Sequence, residues 1–346
     1  MTILEHIVSE HAGRSAALWA QRDSLALDDP PDIDAVRAID GRLEINLDGV
    51  RVAGRAAWPS VVALYRESIG KGELFVLAWT ALELESNDFV SEAVELGRAS
   101  IGGPGGLIGA LAWHEAGKIA PWVRDWIDAH DPFERLLAVS ACLEHNVDPK
   151  QVLSLRLRDP DGSVRIASLR LAAKLLRSDL AAEVANALAD KDQQVRFWAA
   201  WTLNELGQPG PGLAELRRTV EQGDHNALVA LRAVMKSTPG KDARSWIATL
   251  LRSPQSAPFG VRASGILGDR SLLPWLIDQM GNPAVATAAG AAFLELFPEG
   301  RQEGDLFTND AAVAGTRFEE YFAGRIARVP LADRVLEWGR RHGHLK

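Results

Sequence analysis

Histidine and glutamate residues next to each other are the part of this chain that could bind a metal. His114 and Glu115 are adjacent, and Glu144 and His145 form a second pair in the reverse order. Imidazole and carboxylate groups hold transition metals, but a site needs several of them to converge. One pair in each order does not supply that set. We therefore predict no metal site and no cofactor.

The remaining reactive side chains also favour a non-enzymatic protein. Cys142 is the only cysteine, so an internal disulfide is impossible, and its apolar surroundings over 136–143 predict a buried structural thiol. His342 and His344 stand near the end of the sequence and are expected to be exposed to solvent. No serine, histidine and aspartate occur at a recognisable catalytic spacing. We predict no catalytic residue, while enzymatic activity stays open.

Composition limits the class of protein. The chain has 346 residues, 47% of them hydrophobic, and a net charge of −8, which allows a packed core and disfavours nucleic acid as a partner. No apolar run approaches the roughly 18 residues of a membrane span. The first residues lack a basic segment followed by an apolar one, so a cytoplasmic protein without membrane contact is expected. The 11 tryptophans are spread along the chain and are expected mostly to pack.

An internal repeat indicates the elements that position these side chains. The stretches 159–165 and 190–196 match, with Val164 and Val195 lying 31 positions apart in helical surroundings. Such a period predicts an all-α solenoid of stacked helix pairs. The aspartates are expected to cap helices and the valines to face the core. The arginines are expected to reach aspartates of adjacent repeats in a structural ladder made of Asp161, Arg165, Asp192, Arg196 and Arg262.

Proline and glycine divide the chain into three predicted parts: an N-terminal helical module at 1–59, a repeat array at 60–298, and a C-terminal loop with a terminal helix at 299–346. A first helix over 3–22 is expected to end before Pro30-Pro31, with Asp32 capping a second helix that ends near Gly49. The glycine-rich stretch 102–106 lacks the Gly-Lys-Ser/Thr ending of a phosphate-binding loop, so a flexible linker is predicted there.

The repeated pattern resembles a known family. Asp-x-Asp-x-x-Val-Arg followed by an alanine-rich helix, as at 190–207, resembles HEAT repeats of the phycobilisome-lyase-like type. The resemblance covers roughly 60–298 and is strongest at 159–207. It implies a HEAT-like α-α superhelix in which the helix after the aspartate lines the concave binding face. The function it implies is a non-enzymatic scaffold or adaptor for protein partners.

The N-terminal sequence carries a second resemblance. The string 43–54, with Ile3-x-x-His6 upstream, is similar to an uncharacterised proteobacterial family whose members combine this module with HEAT-like repeats. Val50 stands where those members usually have leucine. They tend to be encoded among type VI secretion genes, which implies a secretion component or effector as the partner. They also run further at the C-terminus, which implies that the array ending at Lys346 lacks its usual cap.

Enzymes built on HEAT repeats supply the rival interpretation. Deoxyhypusine hydroxylase holds two irons on repeated His-Glu pairs, which this chain does not repeat. A HEAT-like DNA glycosylase grips duplex DNA in a basic groove. The residues that imitate such a groove are Arg165, Arg170, Arg196, Trp201 and Arg262. Interspersed acidic residues and the negative net charge disfavour this nucleic-acid-binding alternative.

The repeat register predicts where a partner binds. Aligning the valines places Ile166 over Phe197 and Arg170 over Trp201, at the variable positions of the helices expected to face the groove. If those positions are exposed, Phe197 and Trp201 are aromatic anchors one helical turn apart. In the alternative, both rings pack between repeats. The sequence leaves the two possibilities open.

Overall fold

Most of the described residues lie in α-helices, which confirms the predicted all-α fold class. The computed structural model describes residues 5–345 and divides into two compact units, Met1–Val184 and Ala185–Lys346, here called unit 1 and unit 2. The division falls inside a helix, Ala181–Asn186 (α11). Within residues 5–345, no helix is both long and apolar enough to cross a bilayer.

In unit 1, one series of helices packs in succession and a second series flanks it. The first series contains α1 (Glu5–Ala26), α4 (Lys71–Glu83), α6 (Gly105–Trp113), α8 (Pro132–His145) and α10 (Gly162–Lys174), each against the next. The flanking helices are α2 (Ile33–Ala53), α3 (Trp58–Glu67), α5 (Asn87–Arg98), α7 (Ala116–Trp126) and α9 (Gln151–Arg156). A single core runs from Val8 to Ala141, so the N-terminal helices share it with the repeats.

Unit 2 repeats the two-layer arrangement. Its first layer contains α12 (Gln193–Glu205), α14 (Ala227–Ser237), α16 (Ala257–Ile266) and α18 (Ala286–Leu296), packed in that order. The flanking layer contains α13 (Leu213–Gln222), α15 (Gly240–Leu250) and α17 (Leu273–Met280). The C-terminal part adds β1 (Phe307–Thr308), α19 (Thr316–Phe322), β2 (Val329–Pro330) and α20 (Ala332–Arg341), with β1 and β2 antiparallel.

The aspartates of the repeat cap helices, as the sequence predicts. Asp161 Oδ1 accepts from the amides of Ser163 at 2.9 Å and Val164 at 3.2 Å, and Asp192 Oδ1 accepts from Gln194 at 2.8 Å. These bonds satisfy amides that have no partner within the helix. Two residues earlier, Asp159 and Asp190 accept from the amides of Asp161 and Asp192 and so fix the loop before each helix.

The arginine at the fourth position of α8, α10 and α12 makes the same contact in three repeats. Nη1 of Arg165 donates to the carbonyls of residues 159 and 160 at 2.8 and 3.0 Å. Arg196 does so to residues 190 and 191 at 2.7 and 3.1 Å, and Arg135 to residues 129 and 130 at 2.9 and 2.7 Å. Each arginine therefore ties its helix to the loop that precedes it.

One of these arginines also joins two successive repeats of unit 1. Arg135 Nε and Nη2 donate to the two carboxylate oxygens of Asp159 at 2.7 and 2.8 Å, and Arg156 adds a third bond at 2.9 Å. The Asp159 side chain is completely buried. Burial alone would raise its pKa, but the hydrogen bonds from Arg135 and the amide of Asp161 lower the pKa below its usual range.

Three local predictions differ from the structure. The helix predicted to end near Gly49 continues to Ala53. Gly49 does not end this helix but gives room to the His11 ring of α1, which packs where a Gly49 side chain would be. The predicted linker 102–106 ends inside α6, where Gly106 packs directly on the backbone of α4. The first helix begins within the described residues at Glu5 and ends at Ala26; the predicted start at Ile3 lies outside them.

Asp159→Asn tests the buried ion pair of unit 1. Removing one partner of a buried pair costs about 3–5 kcal/mol, so we expect that loss of unfolding free energy at pH 7. Folding lowers the pKa of Asp159, so this carboxylate stabilises the folded state at pH values above its unfolded pKa of about 3.9. The stabilisation is lost as the pH falls through the lower, folded-state pKa. The difference between variant and wild type should therefore shrink from pH 5 to pH 3 in urea melts.

Asp179→Asn is the matched control for that measurement. Asp179 receives the same two-point contact from Arg177, at 2.8 and 2.7 Å, but its side chain is 61% exposed. Solvent screens exposed pairs, so this variant should unfold close to wild type. Equal stability of Asp159→Asn and Asp179→Asn at pH 7 would contradict a structural role for the buried pair.

Candidate protein-interaction surface

The two histidines considered as metal ligands brace neighbouring helices. The His114 ring, 6% exposed, stacks on Trp79 with ring centres 5.6 Å apart, and its Nε2 lies 3.1 Å from the Trp79 carbonyl oxygen. His145 Nε2 lies 2.9 Å from the Leu111 carbonyl of α6. Burial lowers the pKa of His114, which keeps the ring neutral at physiological pH. Both rings thus connect successive helices of unit 1.

Cys142 is buried, as predicted. Its side chain is 3% exposed in α8, and burial, with a smaller contribution from Asp148, raises its thiol pKa to about 11. A protonated thiol is a poor nucleophile, and a buried one is inaccessible to substrates. Among residues 5–345, no three histidine, cysteine, aspartate or glutamate residues are arranged to hold a metal ion.

The terminal histidines are not a free tail. His342 Nδ1 lies 2.9 Å from the Trp338 carbonyl, and its ring stacks on the Trp338 indole. The His344 ring lies 4.8 Å from that of Phe297 and is half-buried. The expectation of solvent exposure holds for His342 and is wrong for His344, because the aromatic core beneath α20 attracts its ring.

The predicted binding residues separate into different environments. Phe197 is 2% exposed and belongs to the core of unit 2, so its ring is a packing residue and not an exposed anchor. Trp201 is half-buried against the same core. Ile166 is half-buried and Arg170 is exposed, both on α10 of unit 1. Participation of these four residues in binding stays a prediction.

Trp198 is a further aromatic residue of α12 and was not among the predicted binding residues. Its ring meets the edge of Phe197 at 5.2 Å and that of Trp201 at 5.3 Å, each at an interplanar angle of 77°. It is half-buried, like Trp201. The edge-to-face contacts fix both indoles, so two large apolar rings are held in place on α12 without side-chain freedom to lose on binding.

The adjacent helix α14 also carries exposed apolar side chains. Leu228 and Val229 are 38% and 37% exposed, and they lie 31 positions after Phe197 and Trp198. The helices α12 and α14 pack together. We call Trp198, Trp201, Leu228 and Val229 the tryptophan surface. Extending the sequence period by one unit identifies its α14 members.

Ion pairs join the helices of the first layer of unit 2. Lys236 Nζ of α14 donates to Glu205 Oε2 of α12 at 2.6 Å. Glu295 of α18 accepts from Arg232 at 3.0 Å and from Arg262 at 2.6 Å. Burial would raise the pKa of Glu295, but the hydrogen bonds from these two arginines lower it. Glu295 therefore neutralises two arginines of this layer.

Several contacts of the predicted ladder residues lie within their own repeats. Asp161 and Asp192 cap their own helices, and Arg165 and Arg196 bind carbonyls of their own loops. Arg262 reaches Glu295 of α18. Contacts of these arginines with aspartates of adjacent repeats stay a prediction. One rung within unit 1 is Arg135–Asp159, and neither residue was among those predicted for the ladder.

Phe197→Ala distinguishes a core residue from a surface anchor. Truncating a buried phenylalanine leaves a cavity and costs about 3–5 kcal/mol, so we expect that loss of unfolding free energy in urea melts. Val229→Ala, on the exposed side of the same region, removes less buried area and should cost much less. A loss below about 1 kcal/mol for Phe197→Ala would mean that its ring does not pack in the core.

Comparison with known proteins agrees with this geometry. No curated protein matches the sequence. The family model described as HEAT repeats matches residues 149–252, a range that contains α9 to α15 and the two stretches with the 31-residue period. Residues 149–252 are therefore similar to HEAT repeats, in agreement with the all-helical fold and the predicted HEAT-like solenoid.

Proposed function

We propose that the protein is a non-enzymatic scaffold that binds a protein partner through the tryptophan surface of unit 2. HEAT repeats commonly serve as protein-interaction scaffolds, and residues 149–252 match them. The observation that carries the proposal is the pair of half-buried indoles in edge-to-face contact, Trp198 and Trp201, with exposed Leu228 and Val229 on the adjacent helix α14. Aromatic anchors in an apolar patch with polar neighbours are typical of binding hot spots.

The burial of the arginines supports a protein partner over nucleic acid. Of the five residues that imitate a DNA-binding groove, Arg262 is 2% exposed and bonded to Glu295, and Arg165 is 9% exposed and bonded to loop carbonyls. Neither can extend to a phosphate without losing those bonds. Arg196 also binds carbonyls. With a net charge of −8, the chain lacks the basic excess that phosphate contacts require.

The finer parts of the proposal rest on the sequence resemblances alone. The phycobilisome-lyase-like repeat type suggests that Ile166 and Arg170 of α10 also bind a partner. The resemblance of 43–54 to a family encoded near type VI secretion genes suggests a secretion component or effector as the partner and the cytoplasm as the location. Affinity purification of the full chain, followed by mass spectrometry, identifies the partner and tests both suggestions.

Val229→Asp tests the tryptophan surface itself. A charge at this exposed position should leave folding intact, yet it places an unpaired carboxylate in an apolar contact and should weaken capture of the partner by about tenfold or more. Trp201→Ala should weaken the same interaction, with a loss of stability that a melting curve measures separately. The readouts are the amount of partner recovered and the melting temperature.

Leu155→Asp is the matched control, since Leu155 is 60% exposed in unit 1, on α9. It should retain the partner. Equal recovery of the partner with Val229→Asp and Leu155→Asp would show that the tryptophan surface does not bind it. Tight binding of a labelled DNA duplex, lost on Arg170→Ala, would instead favour the nucleic-acid alternative.

A further inference from the structure

A groove between α13 and α15 of unit 2 contains an arginine that has no ion-pair partner among residues 5–345. The groove has a volume of about 460 Å³, within the range of small-ligand sites. Its lining includes Leu213, Arg217, Thr238, Pro239, Asp242 and Trp246. None of the four residues of the tryptophan surface lines the groove, so it is a second candidate site.

Arg217 is held against an aromatic ring and has donors to spare. Its Cζ lies 5.6 Å from the ring centre of Trp246, which is 6% exposed and whose Nε1 donates to Glu221 at 3.4 Å. Arg217 Nε is buried without a hydrogen-bond partner among residues 5–345. Within the same residues, no carboxylate lies within ion-pair distance of its guanidinium, whereas the adjacent Arg218 pairs with Glu215.

A second polar group of the groove lacks a partner as well. The hydroxyl of Thr238 is buried and makes no hydrogen bond to any residue in 5–345. Buried polar groups without partners are uncommon and costly, at about 1–3 kcal/mol each. A carboxylate matches the planar donor fork of a guanidinium.

We propose that this groove binds an extended segment of a protein partner through one acidic side chain, whose carboxylate pairs with Arg217. Leu213, Pro239 and the indole of Trp246 provide apolar walls for the neighbouring side chains. Asp242 lines the groove too, is exposed, and repels a second negative charge. The complementary ligand is therefore a single glutamate or aspartate flanked by neutral or basic residues, not a polyanion.

Selection of random dodecapeptides displayed on phage, with the folded full chain as the target, tests this assignment. We expect peptides with one acidic residue to be enriched on wild type and not on Arg217→Gln. For a selected peptide carrying fluorescein, anisotropy should give a Kd about tenfold weaker with Arg217→Gln, the loss expected for a charged hydrogen-bonded pair. Replacing the acidic residue of the peptide by its amide should weaken binding to wild type equally.

Arg218→Gln is the matched control, because Arg218 is the adjacent arginine and already has an acidic partner. It should bind within about twofold of wild type, as expected for an exposed pair. Arg217→Lys keeps the cation over Trp246 and loses the donor fork, so it tests the pairing if Arg217→Gln lowers the melting temperature.

Three results would overturn the proposal: no enrichment of acidic residues, an unchanged Kd in both Arg217 variants, or preferred binding of a phosphate polyanion. Val229→Asp should leave peptide binding intact. Failure of the tryptophan surface and failure of this groove are therefore separate outcomes.

Discussion

The contact between a helix arginine and the loop before its helix organises the repeats of this protein. In three repeats the same Nη1 atom binds two successive loop carbonyls, at Arg135, Arg165 and Arg196. A guanidinium has five donors in fixed directions, so this contact leaves others for a neighbouring repeat. In Arg135, Nε and Nη2 donate to the buried carboxylate of Asp159. One side chain thus fixes a loop, a helix start and the next repeat together.

That arrangement divides the polar residues into two groups. Arg165 and Arg262 are committed to carbonyls and to Glu295 and are too buried to meet a phosphate. The positions that vary between repeats carry different side chains at equivalent places, as Trp201 of α12 and Arg232 of α14 do. A repeat architecture presents such positions in rows, which is why an apolar surface can extend over two helices from residues 31 apart in sequence.

Features that depend on local chemistry could be predicted from the sequence. The period, the caps at Asp161 and Asp192 and the burial of Cys142 follow from residue types and spacing. The roles of Phe197 and Trp198 could not be predicted in this way. Which face of α12 turns towards the core depends on how the helix packs against α13 and α14. The two-residue strands β1 and β2 are too short to leave a pattern. The partner of each arginine also depends on tertiary structure.

Residue type alone therefore does not identify a functional side chain in this fold. His114 and His145 suggest metal chemistry in the sequence, yet each is bonded to a carbonyl of the neighbouring helix. Arg165 and Arg217 differ in their partners: the guanidinium of the first binds the carbonyls of its loop, whereas the second lies over Trp246 and has no ion-pair partner among residues 5–345. A guanidinium without a carboxylate beside it has the most to gain from an external one. The partners that the fold gives to a charged side chain, more than its residue type, therefore indicate where the proposed scaffold would bind.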